Sequence, residues 1–258
     1  MKSLTPSVSV RRADNPGPMT LDGTRSCVLR APGAARAVVV DPGPDDEAHL
    51  AALAAAPVEL VLITHRHADH TAGSPRLRAL TGAPVRAADP AHCHGAEPLR
   101  GGEVIEAAGL RIEVVATPGH TADSVSFVVL TDGAEPVVLT GDTVLGRGTT
   151  VIAEPDGSLG DYLTSLDVLE RLGDGRLGVP AHGPEIADVG AAVRAYRAHR
   201  HERLAQVRAV LDGLGPDASV DDVVARVYAD VDPSVLGAAR QSVAAQLAYL
   251  RTPPRADN

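Results

Sequence analysis

The sequence predicts an α/β body ending near residue 183, followed by a helical module over residues 184–258. Three observations carry this. Short β-like runs crowd the stretch up to about residue 140, and helical segments lie between them. Beyond about residue 184, apolar residues recur only at helical spacing. A chain of 258 residues buries a sizeable core as one large domain, or as one domain with a small appendage.

The strand candidates, in order, are Val8–Val10, Cys27–Leu29, Ala37–Val40, Val58–Thr64, Val85–Ala87, Val104–Glu106, Leu110–Ala116, Ser124–Leu130 and Val137–Thr140. Runs such as LRIEVVA alternate apolar with polar, as half-buried strands do. Gly and Pro pairs in DPGP, TGAP and TPGH punctuate them. DDEAHLAALAAA begins with acids, which suit the positive end of a helix dipole. SPRLRALTG has Pro75 near a helix start and Gly82 just past its end. DYLTSLDVLERL spaces Leu163, Leu166, Leu169 and Leu172 for one face. Ile186, Val189, Val193, Tyr196, Leu204, Val207 and Leu211 mark one long amphipathic helix. Pro184 is expected at its first position, with the helix N-terminus offering N–H groups to an anion. GLGPDAS breaks that helix, two shorter ones follow at Val220–Tyr228 and Val235–Leu250, and RTPPRADN reads as a frayed tail.

Composition narrows the function classes. Net charge is −9, the opposite of a bulk electrostatic grip on nucleic acid. With no Trp and one Phe, base stacking on aromatic platforms is a poor expectation. Cys27 and Cys93 make no disulfide framework or CxxC pair. No apolar leader or membrane-length segment is present, so a cytoplasmic location with no membrane partner is expected.

The chemistry concentrates in VLITHRHADH. An apolar run stops at Thr64, and His65, His67, Asp69 and His70 follow within six residues. Alternate residues of an extended segment point the same way, so His65 and His67 can face one metal. Asp69 and His70 can then turn toward a second. Imidazole with carboxylate suits Zn, and also Mn or Fe. Three further loops each place a ligand-type residue just past an apolar run: His120 in TPGH, Asp142 in TGDT and His182 in PAHG. In α/β sheets such loops gather into sites beyond the strand ends. His92, Cys93 and His94 read as an ordinary loop, and His199 with His201 as a solvated helix face. In LGRGTT, Arg147 or the hydroxyls of Thr149 and Thr150 are candidates to meet substrate, whereas DPGP at Asp41–Pro44 reads mainly as a turn.

HxHxDH at His65–His70, TPGH at Thr117–His120, GD at Gly141–Asp142 and the late His182 together resemble the metallo-β-lactamase superfamily of hydrolases. The resemblance implies a four-layer αββα sandwich with a two-metal site, most simply two Zn2+. It implies that His65, His67 and His120 hold one metal, that Asp69, His70 and His182 hold the other, and that Asp142 bridges them. Two such cations share a hydroxide and stabilise an oxyanion. Asp69 and Asp142 are accordingly the residues assigned to catalysis, Asp69 in proton transfer. The stretch from GDTVLGRGTT to YRAHRHERLAQV, with the helices after it, is similar to the β-lactamase-like protein 2 family. The resemblance implies that those helices form a winged-helix-like module. Animal members of that family act as endoribonucleases on single-stranded RNA. Only eight residues follow Leu250, which leaves little room for a β-wing.

Three functions follow from this reading. One is a phosphodiesterase acting on single-stranded RNA. The second is a hydrolase of a small acyl substrate, a thioester or lactone. The third is a binding protein that retains the fold without catalysis.

Overall fold

A computed structural model describes residues 1–131, 133–229, 232 and 236–252. Six strands form the first sheet: β1 (Lys2–Ser3), β2 (Val8–Arg12), β3 (Arg25–Leu29), β4 (Ala37–Val40), β5 (Val58–Leu62) and β6 (Val85–Arg86), in that spatial order. β1 to β4 pair antiparallel; β4, β5 and β6 pair parallel. The parallel half needs crossovers, and α1 (Glu47–Leu53), α2 (Ala68–Thr71) and α3 (Ser74–Thr81) supply them. The second sheet runs β11-β10-β9-β8-β7, from β7 (Val104–Ala107), β8 (Leu110–Ala116), β9 (Val125–Leu130), β10 (Val137–Gly141) and β11 (Gly178–Pro180). Only β10 and β11 are parallel there, joined through α4 (Leu159–Gly173). Then come α5 (Val189–Leu214), α6 (Val220–Val227) and α7 (Leu236–Arg251).

The layers follow from the side-chain alternation of strands. Val38, Val40, Leu60 and Leu62 face inward, against Phe127, Val129 and Leu139 of the other sheet. Their neighbours Val39, Val61 and Ile63 face outward, against Leu50 of α1 and Leu77 of α3. On the far side Val128 and Val138 meet Tyr162, Leu166 and Leu169 of α4 and Val193 and Tyr196 of α5. Helix, sheet, sheet, helix is the four-layer arrangement. Strands apolar on both faces are what a sheet covered twice requires. A fourth cluster, Val207, Val223, Val224, Val243 and Leu247, joins α5, α6 and α7. Among the described residues these three helices carry no strand, and no helix is long and apolar enough to cross a membrane.

Most expected elements stand within two residues of their predicted bounds. β1 and β11 are additions, too short to leave a periodic signal. The expected opening of the long helix at Pro184 is corrected. α5 begins at Val189, with the Asp188 side chain accepting from the Ala191 N–H as its N-cap. Residues before it instead close a bridge between Ile186 and Gly178 of β11. Pro184 marks a turn, and the expected anion site at a helix start beside it does not form. The expected start at Val235 and most of the tail lie outside the described residues.

Candidate metal centre

β5 ends at Leu62, and the chain runs on through Ile63 and Thr64 into His65, Arg66 and His67 before α2 starts. Asp69 and His70 sit in α2, a single turn. His120 follows β8, Asp142 follows β10 and His182 follows β11. Each is therefore placed by a strand end. Gly141 is a necessity here: its φ is +50° and a Cβ would lie 2.9 Å from Thr64. Only a residue without a side chain brings the Asp142 loop of one sheet against the His65 loop of the other.

The structure brings all seven sequence-predicted ligand residues together. His67 Nδ1 lies 3.0 Å from His65 Nε2 and 3.1 Å from His120 Nε2. On the other side, Asp69 Oδ2 is 3.2 Å from Nε2 of both His70 and His182. Asp142 stands between: its Oδ1 is 3.4 Å from His182 Nε2 and 3.7 Å from His70 Nε2, and its Oδ2 is 3.7 Å from His120 Nε2. Within each of the sets His65/His67/His120, His65/His70/Asp142 and Asp69/His70/His182, ligand atoms lie within 4.8 Å of one another.

The donor set fits metal cations. The outer ring nitrogens of three histidines are occupied. His70 Nδ1 is 2.9 Å from Asp41 Oδ2, His120 Nδ1 is 2.7 Å from the Val151 carbonyl, and His65 Nδ1 is 3.1 Å from Thr64 Oγ1. Thr64 donates its own hydroxyl proton to Asp41, so it accepts from His65. Each ring thus directs an N–H outward and its Nε2 inward, which on His65 and His120 leaves a lone pair facing the cluster. In the first set, His67 Nδ1 has at most one proton for two such lone pairs. Protons alone leave one close N···N contact unbridged. Separations near 3 Å suit neighbouring ligands of an ion bound at about 2.0–2.1 Å. His70 Nε2 and Asp142 Oδ1, both buried, have no hydrogen-bond partner at all.

Electrostatics point the same way. Burial, then the charge of His70, drives His65 well below the usual histidine range; burial and His120 lower His67. For His70 burial opposes charge, but the carboxylates of Asp41, Asp142 and Asp69 outweigh it and hold the proton well above the ordinary value. Burial is likewise outweighed at His182, where Asp142 and Asp69 raise the pKa to about 9. Asp69 and Asp142 are held far below the carboxylate range against burial, by His70 and His182. The acids demand positive charge at this point, and a divalent cation meets that demand as protons do.

Sequence reasoning underweighted Asp41. It is buried, takes a positive φ of +52°, and accepts from the Thr64 N–H at 2.7 Å, the Thr64 hydroxyl at 2.7 Å and His70. The DPGP turn held the signal, since a non-glycine residue at positive φ is uncommon. Thr24 and Asn15 were missed. Asn15 Nδ2 donates to Thr24 Oγ1 at 3.0 Å, and Thr24 Oγ1 donates to Asp69 Oδ2 at 3.1 Å. Nothing in their local pattern announces that contact. Thr150 Oγ1 is 3.1 Å from His120 Nδ1, whereas Arg147 reaches out to Asp22 at 3.4 Å. His92, Cys93 and His94 stand apart from the cluster, Cys93 Sγ lying 3.3 Å from the Ala87 carbonyl.

Residues 20–182 match the family described as Metallo-beta-lactamase superfamily, and residues 219–254 match Beta-lactamase associated winged helix domain. The chain is 32% identical over 257 residues to the Beta-lactamase-like protein 2 homolog of Caenorhabditis elegans, covering 94% of this chain and 83% of that one. It is 33% identical over 221 residues to an Atrochrysone carboxyl ACP thioesterase of Aspergillus fumigatus, covering 82% of this chain and 67% of that one. A solved metallo-beta-lactamase family protein from Thermus thermophilus superposes with a TM-score of 0.77 at 24% identity, over 96% of this chain and 94% of that one.

Proposed function

The chain belongs to the metallo-beta-lactamase superfamily, and from that premise we propose that it is a metal-dependent hydrolase of acyl thioesters. The observation that carries the hydrolase reading is the convergence of five imidazoles and two carboxylates on one point. The similarity to a thioesterase supports the acyl substrate.

In this proposal His65, His67 and His120 would hold one divalent cation, Asp69, His70 and His182 would hold a second, and Asp142 would be a ligand common to both, zinc being the simplest choice. Bound there, such cations supply Lewis acidity and lower the pKa of water toward neutrality. The side chains supply the rest. Asp142, buried and anionic, offsets the repulsion between like charges. Asp69 is the half-exposed carboxylate of the set. Thr24 and the two imidazoles hold its Oδ2, and its Oδ1 takes the proton of the attacking water. A C–O bond forms at the thioester carbonyl, the C–S bond breaks, and the proton passes to the departing sulfur. Acid and thiol result.

The ribonuclease reading shares these residues, but net charge −9 and scarce aromatics give a poor surface for single strands. A side-by-side assay of metal-loaded protein decides between them. One arm offers aryl thioesters and a lactone; the other offers labelled single-stranded RNA and a small phosphodiester. Asp142→Ala controls for contaminating activity. Thioester hydrolysis that vanishes in this variant and on chelation is expected. Metal-dependent RNA cleavage without thioester turnover would overturn the proposal.

A further inference from the structure

On the other side of the loop that touches His120 lies a cavity of about 240 Å3. Thr149–Val151, His199, Arg200 and Arg203 of α5, Tyr228, and Ser242 and Gln246 of α7 line it. Thr150 belongs to both places: its hydroxyl is 3.1 Å from His120 Nδ1, and its carbonyl accepts from Arg200 Nη2. One residue therefore separates the candidate metal centre from the cavity.

The cavity is cationic and incompletely satisfied. Arg200 is only 4% exposed, yet no carboxylate among the described residues pairs with it. Its Cζ lies over the Tyr162 ring, 5.1 Å from the centroid, and its Nε is buried without a partner. A guanidinium does not lose its proton in a protein, and a buried unpaired charge is costly. Gln246, 3% exposed, lines the same space with its Oε1 unpartnered, and a flip of that amide presents donors instead. Arg203 lies one turn along α5 from Arg200, over the ring of Tyr228 at 5.1 Å. Burial and the two arginines lower the pKa of His199, and its ring has an N–H to give in either protonation state. Guanidinium forks, an imidazole N–H, the Ser242 hydroxyl and an amide make a donor set for a tetrahedral dianion.

We propose that this cavity binds the phosphate of a 4'-phosphopantetheinyl thioester, holding the pantetheine arm while its acyl end reaches the metal centre. The inference rests on the thioesterase reading above and names its substrate class. Contact with phosphate would give Arg200 and Arg203 an anionic partner, which no ion pair among the described residues supplies.

The test uses the metal-loaded full chain, one pair of substrates and one titrated ligand. Benzoyl-pantetheine and its 4'-phosphate are compared as substrates, and pantetheine 4'-phosphate is titrated calorimetrically. Loss of one charge-assisted contact corresponds to about tenfold in affinity. We expect the phosphorylated thioester to be preferred at least about tenfold in kcat/KM, mostly through KM. Arg203→Gln should collapse that ratio toward one, and His199→Gln should reduce it, which guards against a single misfolded variant. Equal rates for both thioesters in the wild-type chain would overturn the subsite while leaving the thioesterase reading intact. If neither is hydrolysed, the thioesterase reading falls. The titration then decides the subsite alone, supported by binding that weakens in Arg203→Gln and overturned by none. Tighter retention of a single-stranded oligonucleotide than of pantetheine 4'-phosphate, lost in Arg203→Gln, would overturn the assignment to a thioester arm.

Discussion

On one side of Asp142 stand three imidazoles, His65, His67 and His120; on the other stand two imidazoles and the carboxylate of Asp69. In the first group His65 and His67 are pushed toward the unprotonated form by burial and by neighbouring imidazoles. The second is ionic: buried carboxylates hold charge on His70 and His182. The first group therefore presents lone pairs ready made, while the second presents charge that needs compensation. The second also has the deeper support, with Asp41 behind His70 and Thr24 behind Asp69. If two cations bind as proposed, the imidazole side is expected to retain its own when the ionic side is damaged.

The largest effect should come from the residue common to both sides. Asp142→Ala is expected to lose both cations by elemental analysis and to lower turnover by about a thousandfold or more, as removal of several kcal/mol of stabilisation implies. Retention of one cation would confine Asp142 to a single side. Next, Asp69→Ala should keep the cation of the imidazole side and lose about a hundredfold in kcat; an unchanged rate would remove Asp69 from proton transfer. Asp41→Asn tests the support behind His70. It should weaken metal affinity about 10–100-fold, chiefly on the ionic side, in a competition titration with a chromophoric chelator. Equal weakening on both sides would show that Asp41 acts through Thr64 rather than through His70. Thr24→Val removes one hydrogen bond to Asp69 and should cost about tenfold in kcat with metal content unchanged. Lost metal would make Thr24 a structural support of the ionic side instead.

The smallest effect concerns a buried imidazole outside the centre. His49 is 2% exposed, its Nε2 is 2.8 Å from Ser26 Oγ, and burial, then Arg11, lowers its pKa to about 4. A depressed histidine leaves stability complete above about pH 6.5. Between about pH 6.5 and 4 the unfolded chain takes a proton that the folded one refuses, so stability falls by at most about 3 kcal/mol. Urea unfolding of metal-free wild type and His49→Gln should show this slope only in the former. Parallel profiles would mean that His49 does not titrate with unfolding.

What the sequence revealed divides along the same physical line. His65, His67, Asp69, His70, His120, Asp142 and His182 were legible as a candidate cluster because the loops that carry them each follow an apolar run. Asp41 and Thr24 were not, because their importance lies in contacts across 29 and 45 residues of chain, which no local pattern encodes. The α5 boundary was misplaced for the opposite reason. Gly183 and Pro184 make a strong local signal, but it belongs to the turn that closes β11, and Asp188 supplies the cap five residues after Gly183.

The long helix α5 has a consequence for anyone who shortens this protein. Its first half, with Val193 and Tyr196, covers the second sheet, while Val207 near its other end is roofed by α6 and α7. Tyr196 also holds the chain just past Asp142, accepting from the Leu145 N–H at 2.9 Å. Cutting the polypeptide after α5 would strip the roof from a shaft that also braces the loop after Asp142. The terminal helices are better regarded as a keystone than as an attachment.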